Sequence, residues 1–114
     1  MIKGTGVDIM LISRMEKSIK SEAFLKKVFS ESERVYIKDK ANQAQTAAGM
    51  FCAKEAVLKA MGKGIGDIPL REIEILHRES GAPFVEMGGA FSIHISISHM
   101  GDAAVAMAVL EEKE

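Results

Sequence analysis

The stretch AAGMFCAKEAVLKAMGKGIG, residues 47–66, limits what this chain can fold into more than any other. It contains no proline and no β-branched run, is rich in strong helix formers, and ends in Gly62-Lys63-Gly64. It therefore reads as an α-helix up to Met61, closed by the glycine exit. At about 100° per residue, Ala48, Phe51, Cys52, Glu55, Leu58 and Lys59 share one face, while Met50, Ala53, Val57, Ala60 and Met61 cover the opposite one. A helix apolar nearly all round must be buried on most sides, so the other elements have to wrap around it. An unpaired carboxylate there would lose its hydration without compensation, so Glu55 needs a cationic partner. Lys59, one turn onward, supplies one reading: an i, i+4 ion pair of roughly 0.2–0.5 kcal/mol. The other reading is a carboxylate kept in a cleft for a metal ion, with Lys59 beside it for an anion.

The rest of the chain supplies the wrapping elements. IKGTGVDIMLI alternates as a strand should, with Lys3, Thr5, Val7 and Ile9 on one side and Ile2, Gly4, Gly6, Asp8 and Met10 on the other. Asp8 thus shares its face with two glycines, a pattern that suits open space for a ligand, a bulge or a closely packed helix. From Ser13 the pattern turns helical, anchored by Met15, Ile19, Phe24, Leu25, Val28 and Phe29. Ser30 and Glu33 have capping-box spacing and open a second helix, and the polar run KDKANQAQ separates it from the long one. After Gly66 the period becomes two: EIEILH and PFVEM flank a hairpin turn at RESGA, and FSIHISISH and AAVAMAVLE flank HMGD. The expected fold is α+β: one domain over residues 1–114, with an N-terminal strand and three helices followed by about four mostly antiparallel strands.

Charge is distributed unevenly. Residues 1–63 carry 12 Lys or Arg against 7 Asp or Glu, and residues 64–114 carry 3 against 9. Arg14, Lys17, Lys20, Lys26, Lys27, Arg34 and Lys38 make the region 14–40 basic, either a solvated face or a surface that steers an acidic partner. With one Tyr and no Trp there is no aromatic interleaving, which argues against nucleic acid. The start MIKGTGVDIM is a poor secretory leader, and no run approaches the roughly 20 apolar residues of a membrane span. Cys52 stands alone, with neither a disulfide partner nor metal-site spacing, and reads as a small buried hydrophobe. These features point to the cytoplasm.

Three blocks, GTGVDIMLISR, FCAKEAVLKAMGKGIG and SISHMGDAAVAMAV, with ESGAPFV between the last two, resemble the holo-[acyl-carrier-protein] synthases, the small class of 4′-phosphopantetheinyl transferases. The resemblance runs from Met1 to about Leu110 and implies the phosphopantetheinyl transferase fold. It also implies transfer of the phosphopantetheine arm of coenzyme A to a serine of apo acyl carrier protein, with release of adenosine 3′,5′-bisphosphate. In the matching positions Asp8 and Glu55 would hold Mg²⁺, with Mn²⁺ an alternative, and Lys59 would meet a substrate phosphate. Gly62 and Gly64 would bend around the nucleotide, Pro83 would contact it, and Ser98 and His99 would lie by its 3′-phosphate. By strand parity alone His99 shares the side of Ile93, Ile95 and Ile97, so a core histidine is the competing reading. Arg14 would face the acidic helix of the carrier protein. Members of the class typically form homotrimers with active sites between subunits.

The chain departs in one respect from the pattern of the family it resembles, whose members often carry basic residues before the middle block. No basic residue stands between Lys40 and Lys54, and Met50 occupies a position where an arginine is usual. Lys54 shares the motif with Glu55 but points about 100° away, so an outward ion pair or subunit contact competes with a phosphate contact. The rival functions are a non-catalytic homologue that binds carrier protein or coenzyme A, and a Mg²⁺-dependent hydrolase of nucleotide pyrophosphates.

Overall fold

Helix α4, Gln43–Ala60, runs through the centre of the molecule, and in this computed structural model, which describes residues 1–113, every other element packs on it or on its neighbours. Asn42 caps its start by accepting from the Gln45 N–H at 3.1 Å. At its other end Gly62 adopts φ +71°. There the Gly62 N–H bonds the Lys59 carbonyl at 3.0 Å and the Lys63 N–H bonds that of Leu58 at 2.9 Å. This is the Schellman closure that the Gly-Lys-Gly exit predicts. The KDKANQAQ run is shorter as a connection than expected, because its last three residues, from Gln43 on, already belong to the helix.

Strand β1, Ile2–Leu11, leads directly into four helices rather than three: α1 (Ile12–Ser18), α2 (Glu22–Val28), α3 (Glu31–Lys38) and α4. The helical region expected from Ser13 onward is broken at Ile19–Ser21, where Ser21 accepts from the Phe24 N–H at 3.2 Å and starts a new helix. The predicted capping box is present in full at Ser30 and Glu33. Strands β2 (Leu76–His77), β3 (Pro83–Phe84), β4 (Phe91–Met100) and β5 (Ala103–Glu112) follow, all pairing antiparallel. The main sheet has the order β1-β5-β4. The turn between β4 and β5 also supports α1: Asp102 accepts from the Ser13 N–H at 2.9 Å and the Ser13 hydroxyl at 2.6 Å.

Small residues bring the helix close to the sheet. Ala104, Ala106 and Ala108 line the inner face of β5, each almost fully buried. A Cβ on Gly4 would sit 1.9 Å from the Ala60 carbonyl oxygen, and one on Gly6 would sit 2.0 Å from that of Ala56. The glycines beside Asp8 therefore leave no open space. They let the backbone of α4 press directly on β1, which decides for the packed helix among the readings the sequence allowed and against a ligand-sized gap.

Lys54 brings a correction. It is neither outward nor near a phosphate site: it is completely buried, donating to Glu33 Oε1 at 2.7 Å and to the carbonyls of Leu70 and Ile73 at 2.8 Å each. Glu33 also accepts from the Ser30 and Ile75 N–H groups, both at 2.8 Å. This network explains why the expected EIEILH strand shrinks to two residues. The Leu70 and Ile73 carbonyls and the Ile75 N–H are engaged by Lys54 and Glu33 instead of a neighbouring strand, and Leu70–Glu72 forms a single 3₁₀ turn. Met50 is likewise a core residue, 1% exposed. On the outer face of the sheet β1 and β5 expose the apolar side chains Val7, Ile9, Leu11 and Met107, while β4 presents His94, Ser96 and Ser98.

Candidate active site

The close approach of α4 to β1 sets three charged side chains side by side. Asp8 projects from the helix-facing side of β1, between Gly6 and Met10, and Glu55 and Lys59 project from successive turns of α4. Lys59 reaches across to the strand, donating to the Val7 carbonyl at 2.8 Å and to Asp8 Oδ1 at 3.2 Å. The ordinary i, i+4 pairing of Lys59 with Glu55 is thus replaced by a pairing between elements. Glu55 is 7% exposed, and no hydrogen bond from the described residues reaches its carboxylate. Burial pushes its pKa up, the Asp8 charge adds to this, and Lys59 partly opposes both.

These residues line one cavity together with Arg14, Lys63 and Gly64. Its walls include Met15, Phe24, Phe51 and Leu58, so the charges sit against apolar surface, where electrostatic interactions are stronger than in water. Cys52 lies beneath the site with its thiol toward the Ala104 carbonyl, 3.6 Å away. Burial first, and then the charge of Asp8, pushes that thiol up to about 12, so it stays protonated and plays the buried role read from the sequence.

His99 and Pro83 line a different cavity, shared with Tyr36, Gln45 and His77. His99 is exposed rather than in the core, and its Nε2 lies 3.0 Å from Gln45 Nε2. Ser98 lies on the opposite face of β4 and lines neither cavity, and Gly62 serves as the helix cap. Within one chain the candidate residues thus fall into two groups: Asp8, Arg14, Glu55, Lys59 and Gly64 around one cavity, Pro83 and His99 around the other. Gln45 and Tyr36, which the sequence did not single out, also line this second cavity. Tyr36 stacks on His77 with ring centroids 3.8 Å apart, and Lys40 Nζ stands 4.4 Å from the Tyr36 ring centre. Only the polar run before α4 could have pointed to Gln45, and it reads equally well as a connection.

The donor set fits a hard divalent ion such as Mg²⁺. Two carboxylates share one cavity, and the more buried of them lacks a hydrogen-bond donor. Among the described residues no cluster of three or more His, Cys, Asp or Glu side chains forms a closed metal cage. Mg²⁺ characteristically takes one or two carboxylates and completes its shell with phosphate and water.

The model of the 4′-phosphopantetheinyl transferase superfamily matches residues 4–109. This chain belongs to that superfamily. It is 42% identical over 119 residues to a holo-[acyl-carrier-protein] synthase of Oceanobacillus iheyensis, with all of both chains covered. Among solved structures of the superfamily, a holo-(acyl-carrier-protein) synthase from Bacillus anthracis in complex with CoA (3′,5′-ADP) superposes with a TM-score of 0.88 at 36% identity, covering 100% of this chain and 99% of that one. A holo-[acyl-carrier-protein] synthase from Helicobacter pylori in complex with coenzyme A gives 0.84 at 34% identity, covering 94% and 99%.

Proposed function

We propose that this chain transfers the 4′-phosphopantetheine arm of coenzyme A to a serine hydroxyl of an apo acyl carrier protein, releasing adenosine 3′,5′-bisphosphate. The observation that carries this reading is the convergence of Asp8, Glu55 and Lys59 in one cavity of a chain similar end to end to synthases of that name. In the reaction the serine oxygen forms a bond to the β-phosphorus, the bond from that phosphorus to the bridging oxygen breaks, and the serine proton is lost. The chain itself needs no nucleophile, consistent with an inert Cys52.

Asp8 and Glu55 hold Mg²⁺ in this reading, and bound Mg²⁺ supplies charge neutralisation for the pyrophosphate and its leaving group. Lys59 offers an ammonium to the same phosphates. The apolar walls keep water from the phosphorus, which favours serine as acceptor over hydrolysis. Arg14, on the rim of the cavity, continues outward into the exposed Lys17, Lys20, Lys26 and Lys27, a surface suited to an acidic carrier helix. Pro83 and His99, with Gln45, form the nucleotide-binding part.

A homotrimer accounts for the two separate cavities, since a neighbouring subunit would bring its His99 group to the Asp8 group of the next. The exposed Val7, Ile9, Leu11 and Met107 on the sheet supply an apolar face for such association. No helix of the described residues is long and apolar enough to cross a membrane. The cytoplasm is part of the same proposal, and it rests on the likeness to the synthases rather than on that absence.

The test is intact-mass analysis of an apo carrier protein incubated with this protein, coenzyme A and Mg²⁺, with and without EDTA. A gain of one phosphopantetheine arm that EDTA abolishes is the expected result. Free phosphopantetheine without carrier modification would instead identify a hydrolase, and tight coenzyme binding with no product a binding homologue.

A further inference from the structure

Lys59 has work to do before any substrate arrives. Its ammonium is held by two acceptors of β1, the Val7 carbonyl at 2.8 Å and Asp8 Oδ1 at 3.2 Å. Asp8 Oδ1 belongs to one of the two carboxylates available to a metal ion, so Lys59 and a divalent cation compete for it. Phosphate and the Asp8 carboxylate in turn compete for Lys59. The charges sharpen this competition. Within the cluster that contests Asp8, the three groups Asp8, Glu55 and Lys59 sum to −1. With a divalent ion bound the same groups sum to +1, and the ammonium then faces a like charge beside its carboxylate.

We infer that Lys59 is a two-position residue that couples metal and coenzyme binding: it occupies Asp8 in the metal-free protein and passes to the coenzyme phosphate when a divalent cation takes that carboxylate. The inference rests on the proposed transferase reading of the site. The exchange needs only side-chain motion, since the Lys59 side chain is 51% exposed against 21% for Asp8. Its consequence is reciprocal: the ion frees Lys59 for the phosphate, and the phosphate, by holding Lys59, removes the ion's competitor. Lys59 thereby disfavours idle loading of the metal without coenzyme.

The experiment is calorimetric titration of Mg²⁺ into the full chain, its Lys59→Met variant and its Lys59→Arg variant, each with and without coenzyme A and with no carrier present. Lys59→Met is expected to bind Mg²⁺ alone about threefold more tightly than the unmodified protein. The factor by which coenzyme A and Mg²⁺ strengthen one another is expected to fall from about tenfold to about threefold, and Lys59→Arg to restore most of it. Simple loss of a positive charge would also tighten Mg²⁺, so a second readout follows the Lys59 ammonium of the unmodified protein by ¹⁵N-detected NMR. It should shift on saturation with Mg²⁺ alone and shift again with coenzyme A. An ammonium signal that Mg²⁺ alone leaves unmoved, an undiminished coupling in Lys59→Met, or no Mg²⁺ binding by the unmodified protein would each overturn the inference. Failure of the transferase reading registers separately, as normal Mg²⁺–coenzyme coupling with no mass gain on the carrier.

Discussion

Helix α4 carries two lysines, Lys54 and Lys59, that both meet carboxylates, and the two sites are built on opposite terms. Lys54 and Glu33 are completely buried at 2.7 Å, and every donor and acceptor is taken up: three bonds leave the ammonium, and Glu33 collects two backbone N–H groups besides. Burial pulls the Lys54 pKa down and the Glu33 charge works against it. Around Lys59 there are two carboxylates for one ammonium, and Glu55 has burial without a donor. The first arrangement is closed and can only hold the fold together. The second is open, with unsatisfied charge facing a cavity, and is ready to bind something.

Breaking the closed site should cost the most stability. Lys54→Met leaves Glu33 buried and unpaired, for an expected loss of about 3–5 kcal/mol by chemical denaturation. Adding Glu33→Leu should recover only part of it, because the Ser30 and Ile75 N–H groups then lose their acceptor. Full recovery would show that the pair contributes little beyond packing.

Breaking the open site should leave the fold and remove activity. Glu55→Gln is expected to lower transfer about 10²–10³-fold in the carrier mass assay while stability is unchanged or slightly raised, since a partly desolvated charge beside Asp8 is removed. Near-normal turnover would separate Glu55 from the metal. Gly6→Ala strikes the contact on which the open site depends. With a Cβ 2.0 Å from the Ala56 carbonyl, α4 must move, at about 1–3 kcal/mol, and Asp8 moves away from Glu55. Stability and Mg²⁺ affinity should fall together. A loss of stability with unchanged Mg²⁺ affinity would show that the site tolerates the shift.

The smallest effect concerns pH. Burial, and then Lys40, lowers the His77 pKa below its usual value. For a base with a depressed folded pKa, the stabilising contribution is complete above the ordinary pKa of about 6.5 and is lost as pH falls through that value toward the folded one. The Tm of the unmodified protein should therefore drop between pH 7.5 and 5.5 by more than that of His77→Phe, which keeps the stack on Tyr36. Equal drops would place the titration elsewhere.

Local patterns carried much of this protein's architecture. The apolar helix with its glycine exit, the capping box at Ser30, the alternation in β1 and β4 and the α+β order depend on near neighbours in the chain, so they are legible in the residues themselves. Asp8, Glu55 and Lys59 became candidates in a different way, through the resemblance of their blocks to a family, since near-neighbour pattern alone left Glu55 and Lys59 readable as an ordinary ion pair. What needed the folded molecule was every choice between partners distant in sequence. One helix carries a Lys-Glu dipeptide, yet only packing sent Lys54 inward to Glu33 and left Glu55 at a cavity. The glycines beside Asp8 were equally compatible with a gap or a pressed helix until α4 lay against β1. Likewise the separation of His99 and Pro83 from the carboxylates is a matter of where strands end in space. Spacing along the chain restricts which side chains share a face, but which face is buried, and against what, is settled by long-range contacts that no local pattern encodes.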